Sequence, residues 1–359
     1  MTPESEYRFS ERIMPNKILE DVLKAIVVRE FGPPSVMKLE EVPMPEPKAG
    51  EVLIKVHAVS VNRTLDCVVR AGKYARPVTL PLTPGVDPSG IVTKLGPGVT
   101  ERKVGDRVTV QLRTNRDSGA DSIRNLGVHA WGGYAEYVCA LADRTALVPD
   151  RLDFANATVV SRHAPTAFTL LRDKAKLQGG EWVLVMGAAG GLGSAGVQVA
   201  KYLGAKVIAA AGSDDRVKVG VDLGADAGIN YRAQDLAVEA MRITEGKGVN
   251  VVFENIGDPS TFPKAVASMA RHGRLVTAGG HGGTSVPLDV NRLYQNHLTI
   301  IGATGETPED VSLALKAASE GKFKGLIDRI MPLSQAVQAH ELIEARDGIG
   351  KIILDPTIS

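Results

Sequence analysis

The stretch Glu181-Trp-Val-Leu-Val-Met-Gly-Ala-Ala-Gly-Gly-Leu-Gly-Ser-Ala-Gly196, with its continuation to Ser213, decides the fold. Val183, Leu184 and Val185 form a short apolar run suited to a strand buried on both faces, and Ala195, Val199 and Leu203 recur at helical spacing behind the glycines. A second strand, Lys206 to Ala210, ends about twenty residues after the turn and completes a strand–helix–strand crossover. Gly190 and Gly193 let the backbone approach a pyrophosphate, whose charge then meets free N–H groups and the positive end of the helix dipole. A bare Gly-x-Gly-x-x-Gly is a weak signal, and Ala188 stands where the first glycine would be; the strand before it and the helix after it give it weight. A dinucleotide is the expected ligand, with Ala189, Gly190, Gly191, Leu192 and Gly193 as its cradle.

A chain of 359 residues with 44% hydrophobic content suits two domains better than one small core. Its 42 basic residues nearly balance 41 acidic ones, so no electrostatic footprint for nucleic acid or an anionic membrane exists, and a small-molecule substrate is expected. Cys67 and Cys139 are the only cysteines, which rules out a disulfide framework and any zinc site built from several thiolates. Met1 to Asp21 lacks the apolar core of a signal peptide or anchor, and no run of eighteen apolar residues follows, so a cytoplasmic location is expected.

Short β-like runs separated by Gly and Pro clusters occupy Lys24–Arg29, Val52–Val59, Gly90–Leu95, Arg107–Gln111 and Tyr134–Ala140. Phe154 to Lys176 reads as helical, and strand patterns recur at Val249–Glu254, Arg274–Ala278 and Leu298–Ile301. Pro308–Glu320 and Leu333–Ala345 are helical in pattern, and Gly350-Lys-Ile-Ile-Leu354 reads as a final strand that needs a sheet to join. The expected division is an N-terminal extension (1–22), a β-rich domain (23–160), a dinucleotide domain (161–301) and a return to the first domain (302–359).

Taken together, Lys24-Ala-Ile-Val-Val-Arg-Glu-Phe-Gly32, Ser60-Val-Asn62, Pro84-Gly-Val-Asp-Pro-Ser-Gly-Ile-Val92, Val104-Gly-Asp-Arg-Val108, Gly132-Gly-Tyr-Ala-Glu-Tyr137, the glycine turn and Gly350-Lys-Ile-Ile-Leu354 resemble the medium-chain dehydrogenase/reductase superfamily, on its zinc-independent quinone oxidoreductase and enoyl reductase branch. The resemblance runs from about Leu23 to the C-terminus. It implies an α/β fold: a Rossmann doubly wound parallel sheet plus a GroES-like distorted β-barrel catalytic domain, with a homodimer joined through edge strands.

Metal-dependent members carry a Cys where this chain has Asn62 or Arg63, Gly-His-Glu where it has Gly85-Val86-Asp87, and a third ligand near Arg162. The segment Arg113 to Trp131, in place of their four-cysteine lobe, holds no Cys. No metal is therefore expected. Of the seven histidines, none has close metal-ligand spacing; His163, three residues before Thr166, is the one to watch beside Asp66, Cys67 and Asp87.

NAD-selective enzymes commonly end the second strand with an acidic residue, yet here that position is near Ala211, followed by Gly212-Ser213-Asp-Asp-Arg216-Val-Lys218. Ser213 can donate to a 2′-phosphate and Arg216 or Lys218 can neutralise it, while the resemblance adds Tyr231 to this pocket. Asp214 and Asp215 argue the other way unless they merely complement a helix dipole. NADPH is expected over NADH. Asn255, Gly257, Gly279 and Gly280 follow later parallel strands and are further cofactor candidates.

Without a metal or redox cysteine pair, hydride must come from the nicotinamide, and hydrogen-bond donors must stabilise charge growing on the acceptor oxygen. That suits quinones and α,β-unsaturated carbonyls. The resemblance assigns Asn62 as donor to the developing enolate, Tyr74 as proton or hydrogen-bond donor and Thr166 as nicotinamide contact. A one-residue insertion before Asp66 puts Arg63 in competition with Asn62. The alternatives are a metal-free alcohol or ketone dehydrogenase of the same fold, and a nucleotide-binding protein without turnover.

Overall fold

The computed structural model describes residues 22–112, 124–283 and 285–358. The N-terminal extension, apart from Val22, and the stretch 113–123 within the expected Arg113–Trp131 segment lie outside the described residues.

The first part of the chain is mostly β-structure: β1 (Val22–Val28), β2 (Met37–Pro43), β3 (Glu51–Ser60), the short helix α1 (Asp66–Arg70), β4 (Ser89–Leu95), β5 (Arg107–Val110), β6 (Tyr137–Leu141) and β7 (Thr145–Leu147). β1 and β2 form an antiparallel pair. β3 is the organising strand of the larger sheet, pairing with both β4 and β6. Register shifts against β4 at Leu53/Ile54 and Val56/Ala58 mark irregularities that bend it, as bulges do. Its far end turns toward the last strand of the chain.

Helix α2 (Phe154–Phe168) joins the two halves, capped by Asp153, whose carboxylate accepts from the Asn156 N–H. Beyond Pro165, which has no N–H to give, the helix widens into a π-helical turn at Thr169–Lys174. The alternating strands and helices follow: β8 (Trp182–Met186), α3 (Gly191–Tyr202), β9 (Lys206–Ala211), α4 (Asp214–Asp222), β10 (Ala227–Asn230), α5 (Leu236–Ile243), β11 (Val249–Glu254), α6 (Phe262–Ala267), β12 (Met269–Thr277), α7 (Val290–Gln295) and β13 (Thr299–Gly302). All six strands are parallel, in the order β10-β9-β8-β11-β12-β13, which is the doubly wound arrangement. Val183, Val185, Val207 and Phe253 pack into the core on one face, and Leu184, Met186, Ile208 and Val252 into the core on the other. That is why these strands read as continuous apolar runs, each buried aliphatic side chain contributing roughly 1.5–3 kcal/mol.

The chain ends with α8 (Pro308–Ser319), β14 (Ile327–Pro332), α9 (Ala336–Ala345) and β15 (Lys351–Asp355). β15 lies between β14 and β3, antiparallel to β3. β2, β7, β10 and β14 are absent from the sequence-only division. β10 carries Gly228, over which Val217 of α4 packs so closely that an added Cβ would fall 2.3 Å from Cγ1, and a strand with such a residue has weak β-character. No described helix is long and apolar enough to cross a membrane.

Candidate active site

In the parallel sheet, β9 lies on one side of β8 and β11 on the other, so the order of strand addition reverses between β8 and β11 and opens a crevice beyond their carboxyl ends. The crevice encloses about 690 Å³, within the range of a cofactor and small substrate. Asn255 spans the switch point, its Nδ2 donating to the Met186 carbonyl at 2.5 Å.

The glycine turn forms one wall, with Ala189, Gly190, Gly191 and Leu192 lining it. Gly187, which the motif reading passed over, adopts φ +66° and makes the tight exit from β8. Gly193 is required for packing instead, since an added Cβ would stand 2.0 Å from the Gly187 carbonyl oxygen. The first N–H groups of α3 have no acceptor inside the helix and face this wall, as an anion cradle needs.

At the end of β9, Ala211 supplies no carboxylate, and Gly212, Ser213, Arg216, Tyr231 and Arg232 surround the crevice. A Cβ on Gly212 would meet the Tyr231 hydroxyl at 3.2 Å and Arg232 Nε at 3.3 Å, so the glycine keeps this corner open. Arg216 reaches across to the Gly348 carbonyl at 3.3 Å, and Arg346, held in the left-handed region at φ +58°, lines the opposite side. Asp214 accepts from the Asn230 amide at 2.8 Å and neither it nor Asp215 lines the crevice. The Lys218 ammonium pairs with Asp222, one turn on, at 2.6 Å, and Lys218 is not among the residues that line the crevice. Gly257, Gly279 and Gly280 sit beside the crevice at the ends of β11 and β12. They let two turns cross, with a Cβ on Gly279 falling 2.2 Å from the Asn255 carbonyl oxygen, while Ile256, Asp258, His281 and Gly282 line the crevice beside them.

The inner end is a buried polar cluster. The Asp87 carboxylate accepts from the Ser60 N–H (3.0 Å), the Ser60 hydroxyl (2.6 Å) and Asn62 Nδ2 (3.1 Å). Asn62 Oδ1 accepts from Lys351 Nζ at 2.5 Å. Asp66 accepts from the Asn62 and Gly85 N–H groups, and burial, with Asp87 nearby, pushes its carboxyl up to about 7. Burial draws Lys351 down to about 8 against the pull of Asp87. His163, packed under Gly191, has an Nε2 without a hydrogen-bond partner, and burial holds its ring neutral. Among the described residues, no three His, Cys, Asp or Glu side chains converge as a metal site.

The three catalytic candidates fall outside the crevice wall. Asn62 is 4% exposed with its amide engaged inward by Ser60, Asp87 and Lys351. Tyr74 packs with Leu65, Val69, Leu82, Val86 and Val128 and lies edge-on to His129. Thr166 sits in the last turn of α2, one turn beyond His163. Arg63, Thr64, His163, His281 and Lys351 line the inner crevice instead. Arg63 was legible through the insertion. Lys351 had one signal, a lysine opening an otherwise apolar strand, whereas Arg232, His281 and Arg346 had none because loops bring them in.

Two family profiles match the chain, an alcohol dehydrogenase GroES-like domain over residues 48–150 and a zinc-binding dehydrogenase domain over 191–320. Pig (Sus scrofa) quinone oxidoreductase is 33% identical over 345 residues, covering 93% of this chain and 98% of that protein. The crystal structure of AibC superposes with a TM-score of 0.89 at 32% identity, covering 98% of this chain and 99% of that one. A structure described as an NAD-dependent alcohol dehydrogenase gives 0.86 at 33% identity, over 92% and 99%. The parallel sheet, the glycine turn and these matches agree: the chain belongs to the medium-chain dehydrogenase/reductase superfamily, on its quinone oxidoreductase branch, and is a pyridine-nucleotide-dependent oxidoreductase.

Proposed function

We propose that this chain is an NADPH-dependent reductase of quinones or α,β-unsaturated carbonyls that works without zinc. The observation that carries this is the filling of the inner crevice: Asn62, where the resemblance places a metal-binding Cys, and Asp87, in the segment where it places Gly-His-Glu, are tied together by a hydrogen bond, and the Lys351 ammonium bonds Asn62 from the last strand. Such a site stabilises charge that is already delocalised, as on a conjugated acceptor, better than it polarises a simple alcohol.

When bound, the reduced nicotinamide supplies the hydride. The turn at Ala189–Gly191 cradles the pyrophosphate, and Arg216 and Arg232 flank the 2′-phosphate, with Ser213 and Tyr231 as hydrogen-bond donors. Asp214, tied to Asn230, adds no repulsion inside the crevice. Val61, Leu192 and Ile256 provide apolar surface that keeps water from the reacting carbon. The free edge of β13, paired within the described chain only with β12, supports a homodimer.

The test is oxidation of NADPH and of NADH against quinones, enals, enones and secondary alcohols, with chelator and with metal content assayed. NADPH should be preferred by about tenfold or more in kcat/KM, with conjugated acceptors reduced and chelator without effect. Alcohol oxidation abolished by chelator would overturn the proposal.

A further inference from the structure

Lys351 opens β15, and the next three residues, Ile352, Ile353 and Leu354, are at most 1% exposed. An ammonium in such a strand loses most of its hydration, a cost a fold tolerates only with compensation. Compensation comes from a relay: Lys351 Nζ donates to Asn62 Oδ1, Asn62 Nδ2 donates to Asp87, and Ser60 donates to Asp87 twice. Among the described residues Asn62 is the one hydrogen-bond acceptor for Nζ, which leaves two of its three donors unused. Lys351 also lines the crevice beside Val61, Arg63 and His163, on the side where β15 meets the end of β3.

We propose that Lys351 is the cation that stabilises the acceptor oxygen during reduction, and that Asn62 is a positioning residue that aims it. This rests on the reductase function proposed above. Hydride brings two electrons to the electrophilic carbon, the conjugated π pair moves to the carbonyl or quinone oxygen, and that oxygen takes the negative charge against Nζ, which donates a hydrogen bond to it. A proton from solvent then completes the saturated carbonyl or hydroquinone, and Lys351 keeps its own. Asn62, Tyr74 and Thr166 are not among the residues that line the crevice, whereas Arg63 and Lys351 are, and it is the Lys351 ammonium that bonds to the buried Asn62–Asp87 pair.

The experiment compares wild type, Lys351→Met and Asn62→Ala by steady-state kinetics, by NADPH affinity from fluorescence and by titration of para-nitrophenol as a phenolate probe of the crevice. Lys351→Met should lower kcat/KM for the acceptor by about 10²-fold, in line with loss of one preorganised donor, with NADPH affinity within about twofold. Bound para-nitrophenol should ionise about one pH unit or more lower in wild type than in solution, and this shift should vanish in Lys351→Met. Asn62→Ala keeps the ammonium but frees it, so kcat should fall by about tenfold with KM for NADPH unchanged; it also serves if the change at 351 prevents folding. NADPH affinity falling in parallel with kcat/KM would overturn the proposal, because the lysine would then serve the dinucleotide. An unshifted phenolate in wild type would overturn it too. Absence of turnover with every acceptor would refute the reductase function alone, since a Lys351-dependent phenolate shift would still support the oxyanion site.

Discussion

The two ends of the crevice are built by opposite means. The dinucleotide wall is backbone: a glycine turn after β8, helix N–H groups and arginines that stay partly in water. The inner end is side chain, with Ser60, Asn62, Asp66 and Asp87 all buried to 4% exposure or less and held together by hydrogen bonds from four separate segments. Backbone donors bind any dinucleotide with little demand on neighbouring sequence, whereas a buried polar cluster works only when every member is satisfied. Changes at the first end should therefore alter affinity, and changes at the second should alter chemistry.

The sharpest way to break this contrast is Gly193→Val. A side chain there would overlap the Gly187 carbonyl, so dinucleotide binding should be lost and the thermal midpoint should fall, with overpacking costing about 2–3 kcal/mol in denaturant titration. Retained NADPH binding would mean that the turn is not the cradle. Next in size, Arg216→Ala should weaken NADPH by about tenfold in isothermal titration and leave NADH nearly unchanged, because only the 2′-phosphate needs the guanidinium. Equal losses would show that the arginine recognises something common to both.

A smaller effect separates the inner end. With Lys351 drawn down to about 8 from the usual 10.5, the ammonium is charged below that pH and neutral above it. Asp87 and Asp66 favour its charge, and Arg162 opposes it, with His163 neutral alongside and Cys67, pushed up to about 12 by burial, still a thiol. Acceptor kcat/KM should fall about tenfold per pH unit above about 8 in wild type and be flat in Lys351→Met. The linkage sign runs the other way for folding. The folded state holds fewer protons than the unfolded chain between about 8 and 10.5, so stability should rise with pH across that window, and a urea titration series should lose this slope in Lys351→Met. The smallest change belongs to Lys218→Ala, which should leave NADPH affinity within about twofold because its partner is the exposed Asp222.

Legibility follows the same division. Val183–Val185, the glycines and Lys206–Ala210 are contiguous, and their spacing alone demands a strand, a turn and a helix. Arg216 was readable because it follows β9 at short range, whereas Tyr231 came from the family resemblance alone, its strand β10 having no clear β-pattern. Asn62 was found as a residue but not as an orientation, since the direction of its amide depends on Asp87 and Lys351. Tyr74 packs in an apolar cluster and Thr166 lies one turn beyond His163 on α2, and neither is among the residues that line the crevice.

What the sequence determined by itself is the parallel sheet, its dinucleotide crevice and the family, because periodicity and glycine placement are local properties of the chain. What only tertiary structure decided is which polar groups meet at the inner end: Lys351 and Asn62 are 289 positions apart, and the β15–β3 pairing joins them. Local spacing carries no information about such a contact, and the cost of burying an unpaired charge is what forces the partners together.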